Sequence, residues 1–171
     1  METINLKSGD RVFVRNTLVW YKPMSWLATL IRSIAKIKYN HTGVIVRNWG
    51  EPFVNEAIAK GIYPIPASKD LKGKYVRIDR YKYDINEKVF CVKANTKIGN
   101  KYDFWGLLWH QLLFQIFHIW VGHTKEFAED KMYCYEYGAW CFDWVFPEWW
   151  KIDPIKYLEH EDFEVIFEGT W

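Results

Sequence analysis

The hydrophobic pattern of this chain is mostly strand-like in its first half and mostly helical in its second, and that shift limits the architectures open to it. Up to Tyr81 apolar and β-branched residues gather in short runs bounded by turn residues, some of them alternating with polar ones. These runs are Arg11-Val12-Phe13-Val14-Arg15 after Ser8-Gly9-Asp10, His41-Thr42-Gly43-Val44-Ile45-Val46-Arg47, and Phe53-Val54-Asn55-Glu56-Ala57. Gly61 to Ile65, stopped by Pro66, and Tyr75 to Tyr81 complete the set, the last with Val76 and Ile78 on an inner face and Arg77 and Asp79 on the other. Alternation of this kind marks half-buried strands. Asn48 to Pro52 reads as the turn of a hairpin that sets the His41 and Glu56 runs antiparallel. Beyond Tyr81 the spacing is helical. Asn86 to Ile98 is closed by Gly99-Asn100, Phe104 to Val121 follows Asp103 as a cap and ends at Gly122, and Cys134 to Phe146 is closed by Pro147. Trp26, Leu27, Leu30, Ile31 and Ile34 form one earlier helical pattern, Asp153-Pro154 opens a short late helix, and Phe163 to Phe167 reads as a last strand. Strands that dominate the first half and helices that dominate the second define the α+β class.

At 171 residues and without an internal repeat, a single domain spanning 1–171 is expected. Half the residues are apolar and 26% are charged, which excludes an intrinsically disordered chain. Lys and Arg number 23 against 21 Asp and Glu, and the best basic stripe, Lys69 to Lys82, is interrupted by Asp70 and Asp79. Nothing in that balance supports a nucleic-acid partner. Cys91, Cys134 and Cys141 make neither a disulfide framework nor a zinc pair, and His110, His118 and His123 lack metal-ligand spacing, so no metal or cofactor is expected. Met1 to Asn5 shows no basic segment leading into an apolar one, which points to a cytoplasmic location.

A thiol nucleophile needs a stabilised anion, a base to take its proton and a group to orient that base. Cys134 stands at the expected start of a helix, where unpaired N–H groups and the macrodipole favour a thiolate. His41 opens a strand, and Glu56 lies on the neighbouring strand of the hairpin, within reach of it if the turn is as expected. A carboxylate there would hold the imidazole tautomer and stabilise the imidazolium. Cys141, two turns into its helix, and Cys91 read as packing residues. Taken alone, cysteines in apolar helices and histidines at strand ends are more often structural, so spacing leaves the triad open.

Five segments in order carry a resemblance: Gly9-Asp10-Arg11-Val12-Phe13-Val14, His41-Thr42-Gly43-Val44-Ile45-Val46, Val54-Asn55-Glu56-Ala57, Gly99-Asn100-Lys101-Tyr102-Asp103-Phe104 and Tyr133-Cys134-Tyr135-Glu136. Together with Ile152-Asp153-Pro154 they resemble the permuted papain-like branch of the NlpC/P60 superfamily, the YiiX/YaeF-like cysteine hydrolases. The resemblance implies a permuted papain-like fold, with a small antiparallel sheet packed against helices. It implies Cys134 as nucleophile, His41 as general base and then acid, and Glu56 as the orienting member. The reaction it implies is acyl transfer from an amide or ester through a thioester. Tyr102 is then a candidate for positioning substrate or oxyanion. Tyr135 departs from the small serine usual after the nucleophile, as a ring that narrows the cleft or stacks on substrate.

Phe104 to Val121 contains no Asp, Glu, Lys or Arg, but Gln111, Gln115 and His118 place a polar stripe along it. A packed helix is the leading reading of this segment, and contact with a membrane surface the next. Of the 11 Trp, Trp105, Trp109, Trp120, Trp140, Trp144, Trp149 and Trp150 lie in the second half; core packing between two helices is the leading reading, and a membrane interface or an acyl-chain or sugar groove the other. Substrate classes therefore divide between a peptide, including a cell-wall peptide, and a lipid-like molecule. A non-enzymatic binding module on the same fold is the alternative.

Overall fold

The computed structural model describes residues 4–15, 38–48, 50–107, 109 and 123–171. The helical pattern expected from Trp26 to Ile34 lies outside the described residues. Strands β1 (Arg11–Arg15), β2 (His41–Asn48), β3 (Glu51–Ile58), β4 (Gly61–Pro66), β5 (Tyr75–Tyr81) and β8 (Phe163–Thr170) form one antiparallel sheet in the order β4-β3-β2-β1-β5-β8. Each expected strand is present. The β2–β3 turn is tighter than Asn48 to Pro52, because Gly50 adopts a φ of 87° and lets β3 start at Glu51.

The sheet is buried on both faces. Val12, Val14, Ile45, Val54, Val76 and Ile78 fill one side, against Leu71 after the short helix α1 (Ala67–Asp70). Phe13, Val44, Val46 and Ala57 face the other, under the helical layer. That layer contains α2 (Glu87–Asn95), α3 (Lys125–Asp130), α4 (Cys134–Cys141), a 3₁₀ turn (Trp149–Lys151) and α5 (Pro154–Leu158). Helix α2 starts where Asn86 accepts from the Val89 N–H, and α5 where Asp153 accepts from Ile155 and Lys156 ahead of Pro154 at the first turn.

Two helices end earlier than their apolar spacing suggests. Helix α2 stops at Asn95, and α4 stops at Cys141 instead of Phe146. At Phe142 the backbone leaves the helical region, and its carbonyl accepts from both Val145 and Phe146 N–H groups. The turn is fixed by ring packing: Phe142 meets Phe90 and Phe163, each at 5.1 Å between centroids, and Phe146 returns onto Tyr157 at 5.2 Å. Tertiary contacts of this size outweigh local propensity.

Arg77 and Asp79 do lie on the face opposite Val76 and Ile78, but that face is not wet. Asp79 and Arg11 are fully buried and paired at 3.0 Å, Arg11 also donates to the Tyr157 carbonyl at 2.5 Å, and Arg77 donates to Asp79 at 2.6 and 2.8 Å. The Arg11 guanidinium stacks 3.4 Å from the Phe163 ring centre. A buried charge persists only when paired in this way. Among the described residues no helix is long and apolar enough to cross a membrane.

Candidate active site

The hairpin register brings His41 and Glu56 together. Gly43 lies directly opposite Glu56, and His41 precedes Gly43 by two residues, so the two side chains are diagonal neighbours in the antiparallel pair. A side chain at position 43 would stand against Glu56: a Cβ there would lie 3.2 Å from the Glu56 Cβ and 2.7 Å from Val54 Cγ1. Gly43 thus keeps open the space in which His41 Nε2 meets Glu56 Oε2, at 2.5 Å. Glu56 is buried and the His41 side chain is 15% exposed.

Cys134 is the first residue of α4, which packs across β2 and β3. Its thiol lies close enough to the His41 ring to act on that ring's ionisation. Burial by itself would lower the His41 pKa. The charge of Glu56, the nearby Cys134 and the bond to Glu56 together outweigh burial and hold the imidazole well above its ordinary value. Burial pushes the Glu56 carboxyl up, but the attraction and hydrogen bond of His41 bring it below the usual range. Cys134 itself is 3% exposed. Complete burial pushes the Cys141 thiol up to about 12, which disfavours its thiolate.

Tyr102 belongs to a two-residue parallel pair, β6 (Lys101–Tyr102) with β7 (Lys131–Met132), in which Tyr102 lies opposite Met132. That register brings Tyr102 within range of the Cys134 charge. Burial and the neighbouring Cys134 charge raise its pKa well above the ordinary value, so it stays a hydrogen-bond donor. Tyr135 is placed otherwise than as a cleft wall. It is buried, its hydroxyl donates to the Tyr39 carbonyl at 3.1 Å, and its ring meets Tyr157 edge-on at 5.9 Å. The side chain after Cys134 points into the core because the first turn of α4 presses that face onto the sheet.

A second ionic group surrounds the start of α4. His123 Nε2 lies 2.9 Å from Asp103 Oδ2, and Nδ1 lies 2.6 Å from Glu136 Oε1. Burial would lower the His123 pKa, but the hydrogen bonds to Asp103 and Glu136 raise it to about 9. Burial raises Glu136 to about 7, against the opposing effect of His123. Spacing did not single out this group. The available signal was local: Asp103 before a helix, and Glu136 at the third position of another.

Residues 104–107 and 109 are helical, begun by Asp103 accepting from the Gly106 N–H at 3.1 Å, while most of the stretch from Phe104 to Val121 lies outside the described residues, with His110, Gln111, Gln115 and His118. Trp105 and Trp109 at its start are 75% and 58% exposed. A cleft of about 340 Å³ lined by Tyr83, Val89, Phe90, Lys93 and Trp144 includes none of His41, Glu56 and Cys134.

The architecture is an α+β fold with an antiparallel sheet packed against helices, and it has a counterpart among solved structures. It is similar to the crystal structure of metalloprotein yiiX from Escherichia coli O157:H7, over 97% of this chain and 99% of that one, with a TM-score of 0.68 and 13% identity. At this identity the likeness establishes a shared fold. No protein-family model and no curated protein matches the chain.

Proposed function

We propose that this protein is a cysteine-nucleophile hydrolase or acyltransferase of the permuted papain-like type, acting on an amide or ester bond through a thioester. The observation that carries the reading is the His41 ring, bonded to Glu56 at 2.5 Å and near enough to the thiol that opens α4 for that thiol to act on its ionisation. In the forward step Cys134 Sγ attacks the substrate carbonyl carbon, having passed its proton to His41. Negative charge moves to the carbonyl oxygen, where the Cys134 N–H at the helix start and the Tyr102 hydroxyl are the candidate donors. Collapse of the tetrahedral adduct expels the amine or alcohol, protonated by His41, and leaves the acyl group on sulfur. Water or an acceptor hydroxyl or amine then gives its proton to His41, attacks the thioester and restores the thiol.

The solved relative is named a metalloprotein. Among the described residues no group of three or more His, Cys, Asp or Glu is set to hold a metal. His41 Nε2 is engaged by Glu56, and both His123 nitrogens by carboxylates. No step of the proposed reaction uses a metal.

Iodoacetamide labelling followed by peptide mapping tests the reading. Cys134 is expected to react near neutral pH, Cys141 to stay unmodified, and the H41A variant to need a higher pH. Equal, slow reaction of Cys134 with and without His41 would instead favour a binding module. The exposed indoles of Trp105 and Trp109 favour a lipid-like substrate over a peptide, with the start of the Phe104 to Val121 segment as the membrane-surface contact. Co-sedimentation with phospholipid vesicles, lost in the W105A/W109A variant, is the expected result; no sedimentation returns the choice to peptides.

A further inference from the structure

Asp103 and Glu136 each serve a helix start. Asp103 Oδ1 accepts from the Gly106 N–H at 3.1 Å, and Glu136 Oε2 accepts from the Tyr133 N–H at 3.3 Å, one residue before Cys134. The second oxygen of each carboxylate goes to a different nitrogen of the same imidazole. His123 therefore joins two helix starts through their capping acids, and its own N–H donates to the Trp150 carbonyl at 2.8 Å. The joint is tightly built: a Cβ on Gly106 would lie 1.7 Å from Asp103 Oδ2 and 2.2 Å from His123 Nε2. Only glycine leaves room for the Asp103–His123 bond.

The joint lies within one helical turn of Cys134, since Glu136 is two residues further along α4, and the Tyr102 phenol feels the charges of Cys134, Asp103 and Glu136 alike. The His123 side chain is 9% exposed, Asp103 4% and Glu136 fully buried, so water screens their charges weakly. A buried anion this close disfavours a second anion on sulfur. An imidazolium between the two carboxylates offsets one of their charges. The phenols of Tyr102, Tyr133 and Tyr135, whose pKa values burial and the Cys134 charge raise, stay neutral across the relevant range. Among the described residues, the ionic neighbours of Cys134 on the sheet side are His41 with Glu56.

We infer that His123 is a positioning residue for the proposed reaction: clamped between Asp103 and Glu136, it carries the positive charge that lets Cys134 ionise beside a buried carboxylate. This rests on the cysteine-nucleophile reading above. It differs from a structural brace in the signs it demands. Removing the cation raises the pH at which Cys134 reacts, and removing either anion lowers it.

The test is the pH dependence of Cys134 alkylation by iodoacetamide in the full chain, for wild type, H123Q, E136Q and D103N, with thermal melts in parallel. The H123Q midpoint is expected about one pH unit higher, so that alkylation below the midpoint is about 10-fold slower; E136Q and D103N are expected to shift the midpoint down. Three shifts of one sign, or melting temperatures that fall while the midpoint stays, overturn the inference. Should H123Q not fold, the near-isosteric E136Q and D103N decide it by the same sign. A wild-type midpoint no lower than that of a free cysteine, about 8.5, removes the nucleophile reading and this inference with it; a depressed wild-type midpoint that no variant moves removes this inference alone.

Discussion

His41 Nε2 and Glu56 Oε2 lie 2.5 Å apart on adjacent antiparallel strands, and the residue between them in the register is a glycine. The pairing depends on a carboxylate that burial opposes and a ring that burial also opposes, each kept ionised by the other. In the E56Q variant the ring loses its charged partner and the group that orients it. Alkylation or turnover through Cys134 is expected to fall ~10²–10⁴-fold at neutral pH, with its onset moved to higher pH. A pH–rate profile of the variant checks both effects.

Gly43→Ala changes no charge but places a methyl 2.7 Å from Val54 Cγ1 and 3.2 Å from the Glu56 Cβ. Overpacking of this kind costs about 1–3 kcal/mol. Urea unfolding is expected to register that loss, and Cys134 reactivity to fall with it as Glu56 is displaced. Full reactivity at reduced stability would detach the hairpin register from the chemistry.

Asp79→Ala leaves Arg11 buried without its carboxylate, and also frees Arg77. Breaking one side of a buried pair costs about 3–5 kcal/mol, so the urea midpoint is expected to drop steeply. Lys151→Ala, which removes an exposed pair with Glu148, serves as the control and is expected to change stability by less than about 1 kcal/mol.

Stability should fall as pH rises from mildly acidic to alkaline. Glu136 is raised in the folded protein to about 7, so its contribution is complete below the unfolded carboxyl pKa and is lost as pH climbs through 7. His123 is raised to about 9, so its contribution is complete below the unfolded histidine pKa of about 6.5 and is lost as pH climbs through 9. Melting temperatures between pH 5 and pH 9.5 are expected to decline less in the H123Q/E136Q double variant than in wild type.

Much of the strand half was legible because a period of two survives one-dimensional reading. The runs at His41, Phe53, Gly61 and Tyr75 are all strands of the sheet. Helix starts at Asn86, Asp103 and Asp153 were equally readable, since a capping side chain acts within three residues of itself. The end of α4 was not. It is set by Phe142 meeting Phe90 and Phe163, rings from segments far apart in the chain.

The chain order alone determined which side chains were available: a cysteine at a helix start, a histidine opening a strand, and a glutamate two strand positions from a hairpin partner. Local rules of alternation and capping suffice for that, because they act between residues close in sequence. Only the tertiary structure decided that the His41 imidazole meets Glu56 within range of Cys134, that Tyr135 turns inward to the Tyr39 carbonyl, and that Asp103, His123 and Glu136 meet at the start of α4. Those outcomes depend on charges and rings brought together across more than ten residues of chain, and on how burial changes the balance of ionisation once they meet.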